Sequence, residues 1–204
     1  MRLANLLAPA CQECQAPSWK LFCHSCQEKM KIGEQSSVAV NWEKIVLEFN
    51  YTKAAENWLH DIKMNRRPER WRELKDLQLT QFPNRFQVLS VSSDPLQMKK
   101  RLFDSSESFG QSLAEHLNLP YLGVGFNRGP YLSPQKRLRR EEREISLAPL
   151  LSLKPEFQRP LGSVLLVDDV MTTGATIKTH AQLLRPFCKE IWIYCLFHVS
   201  RRLE

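Results

Sequence analysis

An unbroken apolar run that stops against two adjacent acids constrains this chain more than any other feature. Ser163 to Val167 (SVLLV) shows no polar alternation, the pattern of a strand covered on both faces. Asp168 and Asp169 follow, then Val170, Met171 and the loop Thr172-Thr173-Gly174-Ala175-Thr176. Ile177, Ala181 and Leu184 recur at helical spacing up to Pro186, and Ile191 to Val199 (IWIYCLFHV) is a second apolar run. Strand, helix, strand in this order is a βαβ unit, which calls for a parallel sheet with right-handed crossovers. The expected fold class is α/β.

The 204 residues, 43% of them hydrophobic, suffice for one such domain and a small appendage. Trp42 to Tyr51 alternates loosely and reads as a half-exposed strand. Thr52 can cap a helix with Ala55, Trp58, Leu59 and Ile62 on one face, and a second short helix is expected through Leu74 and Leu77. Phe86 to Val91 reads as a strand entering the turn Ser92-Ser93-Asp94-Pro95. Phe109, Leu113 and Leu117 mark an amphipathic helix, capped by Ser105 or Ser106 and ended by Pro120, before another strand at Leu122 to Phe126. Asn127 to Ser146 is a polar, highly charged excursion. No run approaches the roughly 18 apolar residues that span a bilayer. The weakly apolar start MRLANLLAPACQECQ reads as cytoplasmic rather than as a signal.

Adjacent carboxylates are costly to desolvate and raise one another's pKa, so exposure at the carboxyl edge of the sheet is expected. Ligands of open α/β sheets bind at that edge. Carboxylate oxygens there can accept hydrogen bonds from a vicinal diol, each contributing roughly 1.5–3 kcal/mol. In the next residues Gly174 lets backbone amides close around an anion, while Thr172, Thr173 and Thr176 add hydroxyls. The helix that starts near Ala175 aims its positive end at the same spot. A diol reader beside a phosphate cradle fits a ribose 5-phosphate; the competing reading is a plain strand–turn–helix in which Asp and Thr only cap. No Walker loop is present, and Gly123-Val124-Gly125-Phe126-Asn127-Arg128 lacks the third glycine of a dinucleotide fingerprint.

Val164 to Thr176 resembles the phosphoribosyl-pyrophosphate (PRPP) motif of type I phosphoribosyltransferases. The resemblance implies that Asp168 and Asp169 contact the ribose hydroxyls and that Thr172, Thr173, Gly174, Ala175 and Thr176 hold the 5-phosphate.

The cysteines form a separate unit. Four of the six lie in two C-x-x-C pairs, Cys11/Cys14 and Cys23/Cys26, a spacing that suits a closed, structural four-cysteine zinc site in a reducing compartment. Redox disulfides or an iron–sulfur cluster are the alternatives. His24 is expected to face solvent, and Cys188 and Cys195 to belong to the core. Lys31 to Ser37 reads as a linker, giving a zinc-ribbon-like head over residues 1–35 and an α/β domain over 36–204.

A four-cysteine head, a middle α/β region and a terminal PRPP motif together resemble the ComF family of competence proteins. Gln135, Leu138, Arg140, Glu142 and Arg143 echo a further stretch of that family. The resemblance implies a type I phosphoribosyltransferase-like parallel sheet flanked by helices. It also implies PRPP and single-stranded DNA as ligands during natural transformation, with a competence helicase as a partner. The family's Pro-Leu-His to Arg-Gly-Phe-Asn-Gln stretch is altered here to Pro95-Leu96-Gln97 and Phe103-Asp104-Ser105, leaving Lys99, Lys100 and Arg101 as candidates to grip pyrophosphate. The net charge of +7 favours polyanions. Lys63 to Arg72 and Lys136 to Arg143 are basic segments, and Trp58 and Trp71 are candidates to stack bases. The alternative function is active, Mg²⁺-dependent transfer of ribose 5-phosphate from PRPP to a nitrogen acceptor.

Overall fold

The strand that carries the acid pair lies inside a mostly parallel six-stranded sheet. In the computed structural model, which describes residues 9–35, 44–129 and 148–199, the strands are β1 (Lys31–Gln35), β2 (Lys44–Asn50), β3 (Phe86–Ser90), β4 (Tyr121–Val124), β5 (Phe126–Arg128), β6 (Leu151–Leu153), β7 (Gly162–Met171) and β8 (Cys188–His198). The main sheet has the order β1-β2-β8-β7-β3-β4, and β5 pairs with β6 in a separate ribbon. Only β1 runs antiparallel to its neighbour in the main sheet. The helices are α1 (His24–Met30), α2 (Lys53–Met64), α3 (Pro95–Arg101), α4 (Ser105–Leu117) and α5 (Ala175–Leu184).

Both faces of the sheet are covered, as the continuous apolar runs require. Leu165 and Val167 pack with Trp58, Ile62, Phe109 and Leu113 on the side of α2 and α4. Val164 and Leu166 pack with Ile177, Ala181 and Leu184 of α5 and with Phe126 and Leu153 of the ribbon. Cys11, Phe22, Cys26 and Met30 of the head join the first of these cores.

Several expected elements shift, each for a local reason. The expected linker forms β1 instead, pairing from Lys31↔Phe49 to Gln35↔Ile45 and covering the edge of β2. β2 is therefore interior, and Val46 to Phe49 are all buried rather than half-exposed. Among them Glu48 accepts hydrogen bonds from Thr80 N–H (3.0 Å) and Thr80 Oγ1 (3.2 Å). Thr52 caps α2 as expected, accepting from Ala55 N–H. The second short helix is a 3₁₀ helix over Pro68–Asp76 that stops before Leu77. Asp104, not Ser105 or Ser106, caps α4, its Oδ1 accepting from Ser106 N–H and Glu107 N–H, because a carboxylate outcompetes a hydroxyl for those amides. Asn118, in the left-handed region, ends the same helix before Pro120 is reached. The strand expected at Leu122 to Phe126 breaks at Gly125, and its second half leaves the sheet for the ribbon.

Gly110 fixes how closely α4 rests on β3. A Cβ there would lie 1.9 Å from Ser90 Oγ and 2.9 Å from Tyr121 Cε2. Ser90 Oγ is held by Ser106 O (2.9 Å) and Tyr121 OH (3.1 Å), so it has little room to turn away. Gly110→Ala is expected to destabilise the fold by about 1–2 kcal/mol despite alanine's better helix propensity. Thermal unfolding measures this, and an unchanged or raised Tm would contradict the packing described.

Candidate functional site

The crevice at the carboxyl edge arises because β7 is longer than β3. The last β3–β7 pair is Ser90↔Val167. β7 continues through Asp168 to Met171, held only by β8 on its other side. β3 leads on to β4 in one direction and β7 to β8 in the other, so the overhang stands at the topological switch point of the sheet. A polar cavity of about 200 Å³ opens there.

The strand does not stop at the acids as expected, and pleating sends their side chains to opposite faces. Asp169 points toward α2 and α4 and is 5% exposed. A carboxylate so placed needs a counter-charge, and Lys63 of α2 supplies it, with Nζ 2.5 Å from Oδ2. Ser105 Oγ lies 3.5 Å from the same oxygen. The expectation that both acids are exposed is thus corrected for Asp169. Asp168 is half-buried and accepts the Asp169 N–H at 2.9 Å. Burial, then the neighbouring Asp169 charge, push its carboxyl up to about 7 against the pull of Lys63 and Arg128. Both acids still line the cavity.

Beside it the loop after β7 encloses a smaller hollow of about 30 Å³, lined by Thr172 to Thr176. Gly174 has φ +75°, the left-handed conformation that glycine adopts without strain. It opens α5 without a side-chain cap. Ala175 N–H has a long 3.4 Å contact with Thr173 Oγ1. The positive end of α5 therefore faces the hollow. Asp168 and Thr176 line both spaces, so the two adjoin.

The loop between β3 and α3 forms the opposite wall. Ser93 Oγ donates to Asp104 Oδ1 (2.6 Å) and meets Ser106 Oγ (3.0 Å), while Arg128 donates to Ser92 O (3.1 Å). Of the three basic residues expected here, Arg101 lines the cavity together with Gln97, one turn earlier, and Lys99 and Lys100 are exposed elsewhere. Arg101 Nε is buried without a hydrogen-bond partner. Lys63, Arg101 and Arg128 stand against Asp94, Asp168 and Asp169 around one space. Sequence reasoning missed Lys63 and Arg128 as site residues. Lys63 was visible only as part of a basic stretch, and no local pattern marks Arg128.

The cysteine head brings its four sulfurs together. Cys11, Cys14, Cys23 and Cys26 lie with all Sγ atoms within 4.8 Å of one another. The Cys14–Cys23 separation of 3.8 Å matches the edge of a tetrahedron with metal–sulfur bonds of about 2.3 Å. Cys23 N–H points at Cys11 Sγ (3.2 Å). Burial opposes ionisation of Cys11, but amides of Cys14, Cys23 and Glu13 outweigh it and bring the thiol down to about 7. Burial and the other three thiols push Cys26 up, the mark of a crowded set that a cation would relieve. The donors fit a metal ion. His24 is exposed, and Cys195 is buried in β8.

The expected nucleic-acid platform changes character. Trp58 and Trp71 are core residues, edge to face at 5.4 Å, with Trp71 against Phe109 at 4.9 Å. Neither can stack a base, because large rings at helical spacing found the hydrophobic core first. Within the basic stretch Lys63 serves Asp169 and Arg70 serves Asp61 and Glu73. Lys136 to Arg143 lies outside the described residues, as does most of the charged excursion. No helix among the described residues is long and apolar enough to cross a membrane.

Among solved structures the chain is similar to the allosteric regulatory enzyme of purine biosynthesis, with 18% identity over 66% of this chain and a TM-score of 0.39. It covers 26% of that chain, so it spans about a quarter of that protein's length. It is also similar to adenine phosphoribosyltransferase from Leishmania tarentolae (15% identity, 69% of this chain and 77% of that one, TM-score 0.37). The adenine phosphoribosyltransferase from Leishmania donovani gives 15% identity over 74% of this chain and 68% of that one, with a TM-score of 0.32. No protein-family model and no curated protein sequence matches the chain.

Proposed function

We propose that the crevice beyond β3 binds PRPP as its magnesium complex. The observation that carries this reading is the adjacency of the larger cavity and the loop hollow, which share Asp168 and Thr176 as lining residues. The 5-phosphate would sit against Thr172, Thr173, Gly174, Ala175 and Thr176, and the ribose diol against Asp168 and Asp169. The pyrophosphate would lie along Ser92 to Asp94, where the unpartnered Arg101 Nε gains an acceptor. Three carboxyl groups line the same cavity, so Mg²⁺ carried on the ligand would offset their repulsion of its phosphates. The four-cysteine cluster would hold a structural zinc in a head over residues 1–35.

Isothermal titration should give a single saturable site for PRPP with Mg²⁺, at least tenfold tighter than for ribose 5-phosphate or pyrophosphate alone. An isotherm indistinguishable from that of inorganic phosphate would overturn the reading. Pyrophosphate release with a nitrogen nucleophile then separates a transferase from a protein that only holds PRPP. The role in competence and DNA handling rests on the ComF resemblance, since the two tryptophans that supported it belong to the core.

A further inference from the structure

One imidazole joins the two walls of the crevice. His180, on the second turn of α5, is fully buried. Its Nδ1 lies 2.7 Å from Thr176 O, in the first turn of the same helix beside the phosphate loop. Its Nε2 lies 3.1 Å from Ser92 N and 2.8 Å from Ser92 Oγ, on the far wall. A backbone N–H only donates and a carbonyl only accepts. Nε2 is therefore bare and Nδ1 carries the proton, a neutral ring in one tautomer. Burial holds the ring's pKa down to about 4, outweighing the upward pull of the Thr176 carbonyl, with the Arg128 charge adding a smaller downward push. Phe126 packs edge-on against the ring at 4.4 Å and fixes its plane.

This geometry is more specific than core filling requires. An apolar residue of similar size would pack as well between α5 and Phe126, yet both nitrogens are engaged, one by the first turn of α5 and the other by Ser92 in the loop after β3. Ser92 O is held separately by Arg128, so the far wall has a second anchor and does not depend on His180 for its existence. What depends on His180 is the distance between the walls.

We infer that His180 is a positioning residue that sets the spacing between the phosphate loop at 172–176 and the loop at 92–94, so that a ligand anchored at both ends is gripped at both at once. The inference rests on the PRPP reading above and deepens it: a ligand with two phosphoryl ends uses the strut, and one with a single end does not. Holding both anchors at a fixed separation counts only for the bridging ligand, because ordering has been completed before it arrives.

The test compares PRPP with ribose 5-phosphate by titration calorimetry in the wild type, His180→Phe and His180→Gln. His180→Phe should weaken PRPP tenfold or more and ribose 5-phosphate less than threefold, because the phosphate loop survives while its spacing to the far wall does not. His180→Gln, with a donor and an acceptor on a shorter plane, should recover part of the PRPP affinity. Equal losses for both ligands, or PRPP affinity unchanged within twofold, would overturn the strut while leaving the PRPP site standing. Wild-type protein that binds neither ligand would sink both. Should the variants fail to fold, imidazole ¹⁵N shifts of the wild type decide: a proton on Nε2 at neutral pH overturns the inference, and a proton on Nδ1 with bare Nε2 supports it.

Discussion

Asp168→Asn is expected to make the free protein more stable at pH 8 while weakening its affinity for PRPP tenfold or more. Burial and the Asp169 charge raise the Asp168 carboxyl to about 7. The unfolded chain releases that proton near the ordinary value of about 3.9. Between these limits the folded state holds more protons than the unfolded one. The contribution of Asp168 is therefore fully present below about pH 4 and is lost as pH rises through about 7. An amide carries no charge at any of these values, so the variant escapes the loss.

Discounted for water in the open cavity, the gain above pH 7 is about 1–2 kcal/mol, or a few degrees in Tm for a chain of this length. Below pH 4 the two proteins should unfold at similar temperatures. The same change replaces a carboxylate oxygen with an amide NH₂ that cannot accept from a ribose hydroxyl. Losing one charge-assisted bond costs roughly 1.5–3 kcal/mol, which is tenfold or more in affinity. Differential scanning calorimetry from pH 4 to pH 8 and titration with Mg²⁺-PRPP read the two effects separately. A lower Tm at pH 8 would refute the electrostatic account, and undiminished PRPP binding would refute the role of Asp168. A residue that weakens the empty fold and tightens the occupied one is what a binding site requires of its acids.

What the sequence disclosed follows from how local each feature is. β7, its loop and α5 were legible because burial on both faces writes an apolar run, and a polar cavity at the sheet edge interrupts it with Asp168 and Asp169. The cysteine pairs were legible because chelation needs a tight turn, which C-x-x-C encodes by itself. Lys63 was not legible, since its partner Asp169 is distant in sequence and only the fold of α2 over the sheet joins them. His180 was hidden in a helix whose apolar spacing accounted for its neighbours. Glu48 disguised β2 as half-exposed: one charge at the centre of a strand mimics alternation, and the amide and hydroxyl of Thr80, distant in sequence, explain how it is tolerated. The cap of α4 shifted because Asp104, Ser105 and Ser106 can all cap, and the Asp104 carboxylate, which also accepts from Ser93 Oγ, outcompetes the hydroxyls for the free amides.

Removing the metal proposed for the four cysteines is expected to unfold more than the head. The cysteine knuckles have little apolar surface of their own, yet Phe22 and Met30 sit in the core that includes Phe49 and Trp58. Gln27, 1% exposed, donates to Phe22 O (2.7 Å) and Asp76 O (2.9 Å) and accepts from Gln78 N–H (2.7 Å). Thr52, the cap of α2, donates to Glu13 of the first knuckle (2.7 Å). Lys63 rides on the far end of α2, so disorder in the head travels along that helix to Asp169. A structural zinc contributes of order 10–16 kcal/mol in small finger peptides, and a comparable share here would exceed the net stability of most domains. One equivalent of zinc per chain is expected by elemental analysis. A strong chelator, or Cys26→Ser, should lower Tm by about 10 °C or more. PRPP affinity should fall with it, because the Lys63–Asp169 pair loses its support. Metal-free protein that keeps both its Tm and its PRPP isotherm would show that the head is an independent appendage, and that four sulfurs within reach of one another do not by themselves make a structural site.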